Sequence, residues 1–226
     1  MLPARSRTSL FQSSISGALL MLFTLLASVA GSHDANAAPA RRAGHVYLMR
    51  GIFNVFSLGM DQIAYKLQDT GIATTVANHT SWRGLADDMI TNYRSGNREP
   101  IILMGHSAGA DATISIARRL QQGGVPVALI VNFDPVSPDP VPPNVKQVVN
   151  YYVPAGWGAA VTADKQFKGK LANVNENATT NHFSIDKDDG LQRQAIARVL
   201  AVTGGNARRG PAKKNAAQQI SAVPAQ

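Results

Sequence analysis

Ile101–Asp111 reads IILMGHSAGAD: an apolar run of strand type meets Gly-X-Ser-X-Gly at Gly105, Ser107 and Gly109, and the chain then turns helical. A serine at the tip of a sharp strand-to-helix turn needs small residues two positions before and after it, so that strand and helix can approach. Gly105 and Gly109 supply them. Such a turn lifts the Ser107 hydroxyl above the carboxyl end of a sheet. It also aims the first N–H groups of the new helix, Ala108 foremost, at a developing oxyanion. The five-residue pattern is not specific on its own, so its surroundings decide.

Outward from the turn, strands and helices alternate. His45–Arg50 is a short apolar strand stopped by Gly51. Met60, Ile63, Ala64 and Leu67 fall at i, i+3, i+4 and i+7 and predict a helix ended by Gly71. Ile72–Ala77 reads as a second strand, and Ala86, Met89, Ile90 and Tyr93 as a second helical stripe. Ile101–Met104 is the third strand, followed by a helix over Ala108–Gln122. Val127–Phe133 is the most strand-like run and delivers Asp134 at its end. Pro135, Pro138, Pro140, Pro142 and Pro143 exclude an ordinary helix after it. Lys146–Val153 and a short Leu171–Asn175 complete the strands, with a loop over Pro154–Lys170 between them. His182 lies in a polar loop, and Leu191, Ala195, Ile196, Val199 and Leu200 mark a closing helix. The pattern predicts a three-layer α/β/α sandwich on a mainly parallel sheet of five or six strands.

The two ends differ from the middle. Arg5 and Arg7 precede the apolar Gly17–Ala30, and Ala35-Asn36-Ala37 has the A-x-A form of a cleavage site. Residues 1–37 therefore read as a signal peptide cut before Ala38. The apolar stretch is short of the roughly 20 residues that span a bilayer, so no stable membrane span is expected after cleavage. Uncleaved, the segment would be an anchor. An exported chain, periplasmic or secreted, is the expectation. Residues 204–226 read as a disordered basic tail. The formal charge of +8 would by itself suggest nucleic acid or an anionic membrane as a partner. Gly44–Thr203, however, holds 14 Lys and Arg against 13 Asp and Glu, a balance of +1, so the domain itself gives no reason to expect one. Cysteine is absent, which excludes disulfides and thiol chemistry.

With Ser107, an Asp at a strand end and a His before the last helix in that order, residues 44–203 resemble the α/β-hydrolase superfamily, in particular its short lipase- and thioesterase-like members. The resemblance implies a minimal α/β-hydrolase fold, and a serine hydrolase that opens a carboxylic ester or thioester through an acyl-enzyme, while the expected export favours lipid, cell-envelope or environmental esters among the substrates. Ser107 would be the nucleophile, His182 the base and Asp134 the acid that orients it. The oxyanion would be held by Ala108 and by an N–H from Arg50-Gly51-Ile52, with Gly51 and Ile52 as the candidates. No cofactor or metal is implied. His79 and His182 also lack a metal-ligand spacing.

Departures from the family pattern leave alternatives open. Asp164, one strand later, is a second candidate acid, and Asp139 a third. His79 rivals His182 as the base. Arg50 stands where the family commonly has His, and two N-terminal strands are missing. Trp82, Trp157, Phe53, Phe56 and Phe167 are candidates for an acyl pocket or for core packing. A non-catalytic binding module on the same fold and an acyltransferase are the competing functions.

Overall fold

In the computed structural model, residues 39–177 and 180–204 are described. The expected signal peptide over 1–37 lies outside them, as does the expected tail beyond Gly204. Six strands, β1 (His45–Arg50), β2 (Ala73–Asn78), β3 (Ile101–His106), β4 (Leu129–Phe133), β5 (Gln147–Tyr152) and β6 (Lys170–Asn175), form one sheet of order β2-β1-β3-β4-β5-β6. All pairings are parallel. Four helices flank it: α1 (Leu58–Gln68), α2 (Trp82–Arg94), α3 (Ala108–Gln122) and α4 (Asp189–Gly204).

The two layers follow from the two-residue period of a strand. Ile102 and Met104 of β3, Val131 and Phe133 of β4, and Tyr151 of β5 face α1 and α4. Their neighbours Ile101, Leu103, Ile130 and Val148 face α2 and α3. Every residue of β3 and β4 is buried, as expected of central parallel strands covered on both faces. The observed bounds extend β3 through His106 and α4 through Gly204, each beyond its apolar stripe. No helix intervenes between β4 and β5, and the proline-bearing connection runs extended through a bridge between Val141 and Ala163.

One row of polar residues crosses the α3 face of the sheet. Asn132, Asn150 and Asn173 stand in register on β4, β5 and β6. Thr113 of α3 donates to Asn132 Oδ1 at 2.8 Å, and Asn150 Nδ2 donates to Asn173 Oδ1 at 2.8 Å and to the Ala159 carbonyl at 2.9 Å. Asn173 in turn holds both backbone groups of Val161. The row thereby fastens residues 159–161, which sequence alone reads as plain loop, onto the sheet.

Candidate active site

Ser107 and Asp134 follow the adjacent strands β3 and β4, and both have positive φ, +57° and +54°. Such values are strained for residues with a Cβ and persist only where surrounding structure enforces them. At Ser107 the enforcement is visible. Its N–H donates to the Phe133 carbonyl at 2.9 Å, a Cβ on Gly105 would strike the Gly109 carbonyl, and one on Gly109 would strike the Met49 carbonyl. At Asp134 the N–H is held by the Tyr151 carbonyl at 2.8 Å.

His182 closes the arrangement from the loop before α4. Its Nδ1–H donates to Asp134 Oδ2 at 2.6 Å, and the Ser107 hydroxyl donates to its Nε2 at 3.0 Å. The other carboxylate oxygen of Asp134 accepts from the Val153 N–H at 2.6 Å. Asp134 is fully buried and His182 nearly so, with only the Ser107 end of the line facing outward. A Cβ on Gly158 would land on the Asp134 carboxylate. Trp157 and Phe183 pack edge-on against the His182 ring, with centroids 5.0 and 5.5 Å away.

The rival residues lie elsewhere. Asp164 accepts from Arg118 of α3 at 2.9 Å, and that ion pair, not a histidine, is its partner. Asp139 is exposed in the proline-bearing connection. His79 stands in the turn after the edge strand β2, with β1 between that strand and β3. Arg50 turns to α1 and pairs with Asp61.

In the loop after β1 the Gly51 N–H is taken up by Ser57 Oγ at 3.0 Å, and Ile52 follows it. Ala108 opens α3 as expected, with Ser107 at its cap.

A cavity of about 160 Å³ opens beside Ser107 and His182, walled by Gly51, Ile52, Phe53, Phe56, Ser57, His106, Val136, Trp157 and Phe183. Of the aromatic candidates, Phe53, Phe56 and Trp157 line it; Trp82 and Phe167 instead pack against the core under α2 and α3. Phe183 escaped sequence reasoning, although its place next to His182 was a signal. So did Asp111, in the first turn of α3, whose carboxylate accepts from the Val136 and Ser137 N–H groups and so fixes the cavity wall. Burial pushes the Asp111 carboxyl above the ordinary carboxylate value, partly offset by those backbone donors. Among the described residues no cluster of metal ligands occurs.

Comparison with known proteins adds a domain match. The family model described as a thioesterase domain matches residues 56–147. No curated protein matches the chain. Similar solved structures include a hydrolase of the α/β superfamily from Xanthomonas campestris pv. campestris, 17% identical over 70% of this chain and 98% of that one, with a TM-score of 0.43. Human thioesterase 2 is 9% identical over 71% and 96%, with a TM-score of 0.48. A cutinase-like protein from Cryptococcus sp. is 15% identical over 74% and 97%, with a TM-score of 0.47. At such identities and TM-scores the likeness carries no weight for activity or substrate. The domain match begins at the turn that holds Ser57, takes in the whole elbow and Asp134, and ends where β5 begins. Joined to the parallel sheet and the strained serine at its centre, this match over residues 56–147 makes that part of the chain similar to a thioesterase domain and supports a hydrolase on an α/β-hydrolase-like fold.

Proposed function

We propose that the chain cleaves a carboxylic ester or thioester of an apolar acyl group through Ser107, His182 and Asp134. The observation that carries this reading is the hydrogen-bonded line from Ser107 Oγ through His182 to Asp134. As Ser107 Oγ attacks the acyl carbon, its proton passes to His182 Nε2, and Asp134 stabilises the imidazolium through Nδ1–H. Ala108 N–H and Ile52 N–H receive the oxyanion. The tetrahedral intermediate collapses, the leaving alcohol or thiol takes the proton from Nε2, and water repeats the cycle to release the acid. A cavity wall of phenylalanine, tryptophan, valine and isoleucine favours an uncharged acyl group, lipid-derived ones included.

The test is labelling by a fluorophosphonate probe together with turnover of an ester and thioester panel. Ser107→Ala should abolish labelling and lower kcat by a factor of about 10³ or more. Undiminished labelling or turnover in that variant overturns the reading. Export through the N-terminal segment is part of the same proposal. The mature protein should begin at Ala38 by mass spectrometry, and a retained N-terminus would refute cleavage.

A further inference from the structure

Directly before the nucleophile, His106 is almost completely buried and takes no part in the proton transfers above. Its Nε2 lies 2.7 Å from the His182 carbonyl oxygen and its Nδ1 lies 2.8 Å from Ser57 Oγ. A carbonyl only accepts, so Nε2 carries the proton, and in the neutral ring Nδ1 is then the acceptor. The Ser57 hydroxyl then donates to Nδ1, and its oxygen accepts from the Gly51 N–H at 3.0 Å. Each bond fixes the direction of the next, and both ends of the chain are main-chain groups.

Resting on the catalytic reading above, we infer that Ser57 and His106 are positioning residues, a buried relay that fixes the loop bearing the Ile52 N–H against the backbone of the base His182. Neither touches the reacting atoms. They set the distance between the oxyanion site and the base, with the nucleophile's own strand between them. The relay operates with a neutral ring, in which Nδ1 accepts from the Ser57 hydroxyl; a proton on Nδ1 would make it a second donor to Ser57 Oγ and turn that hydroxyl away. The charged neighbours act in both directions, Asp186 favouring a proton on the ring and Lys187 opposing it. Asp186 Oδ2 lies 3.9 Å from Nδ1, but this carboxylate is engaged by the Gly59 N–H at 3.0 Å and by Lys187 Nζ at 2.9 Å. The His182 ring, 5.1 Å away between centroids, is the remaining titratable neighbour. Burial, the largest influence, pushes the His106 value down.

Two measurements on the full chain test the relay. In Ser57→Ala, kcat per site titrated with a fluorophosphonate should fall by about tenfold to a hundredfold, the cost of misplaced reacting groups, with KM for p-nitrophenyl butyrate within about twofold. A side chain needed only for stability would lower Tm and leave kcat per titrated site unchanged, and that result overturns the relay. Imidazole ¹⁵N spectra of the wild-type protein decide the case if the variant does not fold. His106 should be neutral and Nε2-protonated at neutral pH; an Nδ1–H tautomer or an imidazolium there refutes the relay. A wild-type protein that neither reacts with the probe nor turns over ester defeats the catalytic reading, while the tautomer still stands or falls by its own spectrum.

Discussion

Asp134 sits at positive φ with one carboxylate oxygen on His182 and the other on the Val153 N–H. Asp134→Asn keeps the shape of this contact but reverses the hydrogen-bonding sense at one oxygen. By analogy with serine hydrolases of this type, kcat should fall by about 10⁴. Asp164→Asn should leave kcat within about twofold, since it removes only a partly exposed ion pair with Arg118. A stopped assay on an activated ester separates the two, and the opposite ranking would move the acid to Asp164. The chain itself points to Ser107, because the flanking glycines are a steric requirement of the turn. It leaves Asp134 and Asp164 as alternatives, because the partner that engages Asp164 is on a helix 46 residues away. Nor does sequence show which way the Gly51 N–H points, since that depends on Ser57 and His106 meeting across the fold. A pH effect also belongs at this scale. Burial lowers both His106 and His45 below the ordinary histidine value of about 6.5. The unfolded chain then takes up protons before the folded one, so stability is complete above about pH 6.5 and is lost as pH falls below it. Tm should drop between pH 7.5 and 5.5, and a flat or rising profile contradicts this.

Among the elements, the connection from β5 to β6 departs most from what its sequence suggests. Pro154–Lys170 reads as loose, with small residues and no apolar period. Yet Asn150 and Asn173 hold Ala159 and Val161, the Val141 N–H donates to the Thr162 carbonyl at 2.9 Å, and Gly158 lies against Asp134. Asn132 and Asn150 are buried in β4 and β5 while Asn173 stands on the exposed edge strand β6, and what they hold together emerges only from their shared register. Asn150→Ala would strip a donor from the Ala159 carbonyl and from Asn173, at a cost of about 1–3 kcal/mol. Urea unfolding should show the loss, and a midpoint equal to wild type would mean the row does not hold the segment. On the proposed mechanism, Gly158→Ala should be more damaging to kcat than to stability, since its Cβ collides with the Asp134 carboxylate. Active-site titration alongside a melting curve tests that ranking. The helices, by contrast, were readable throughout, because amphipathic stripes such as Met60–Leu67 depend on neighbours within the same segment.

At the level of the whole molecule, the apolar side chains left exposed are gathered at one end. Among the described residues nine large ones are exposed, and six of them, Ile52, Phe53, Phe56, Val136, Trp157 and Phe183, line the cavity beside Ser107. Monomeric proteins seldom collect such surface without use for it. Four separate loops contribute, so the collar is invisible in any single stretch of sequence, although the layered sheet that gathers those loops is not. Phe183→Ser should lower kcat/KM progressively from acetate to octanoate esters, with acetate least affected, because each buried methylene contributes about 0.8 kcal/mol. Equal losses at every chain length would remove Phe183 from the acyl site. The asparagine row under this collar has a last consequence. Thr113, Asn132, Asn150 and Asn173 carry no proton that comes off or goes on in water of ordinary acidity. The groups that hold residues 159–161, next to the Gly158 that lies against Asp134, are therefore blind to acidity.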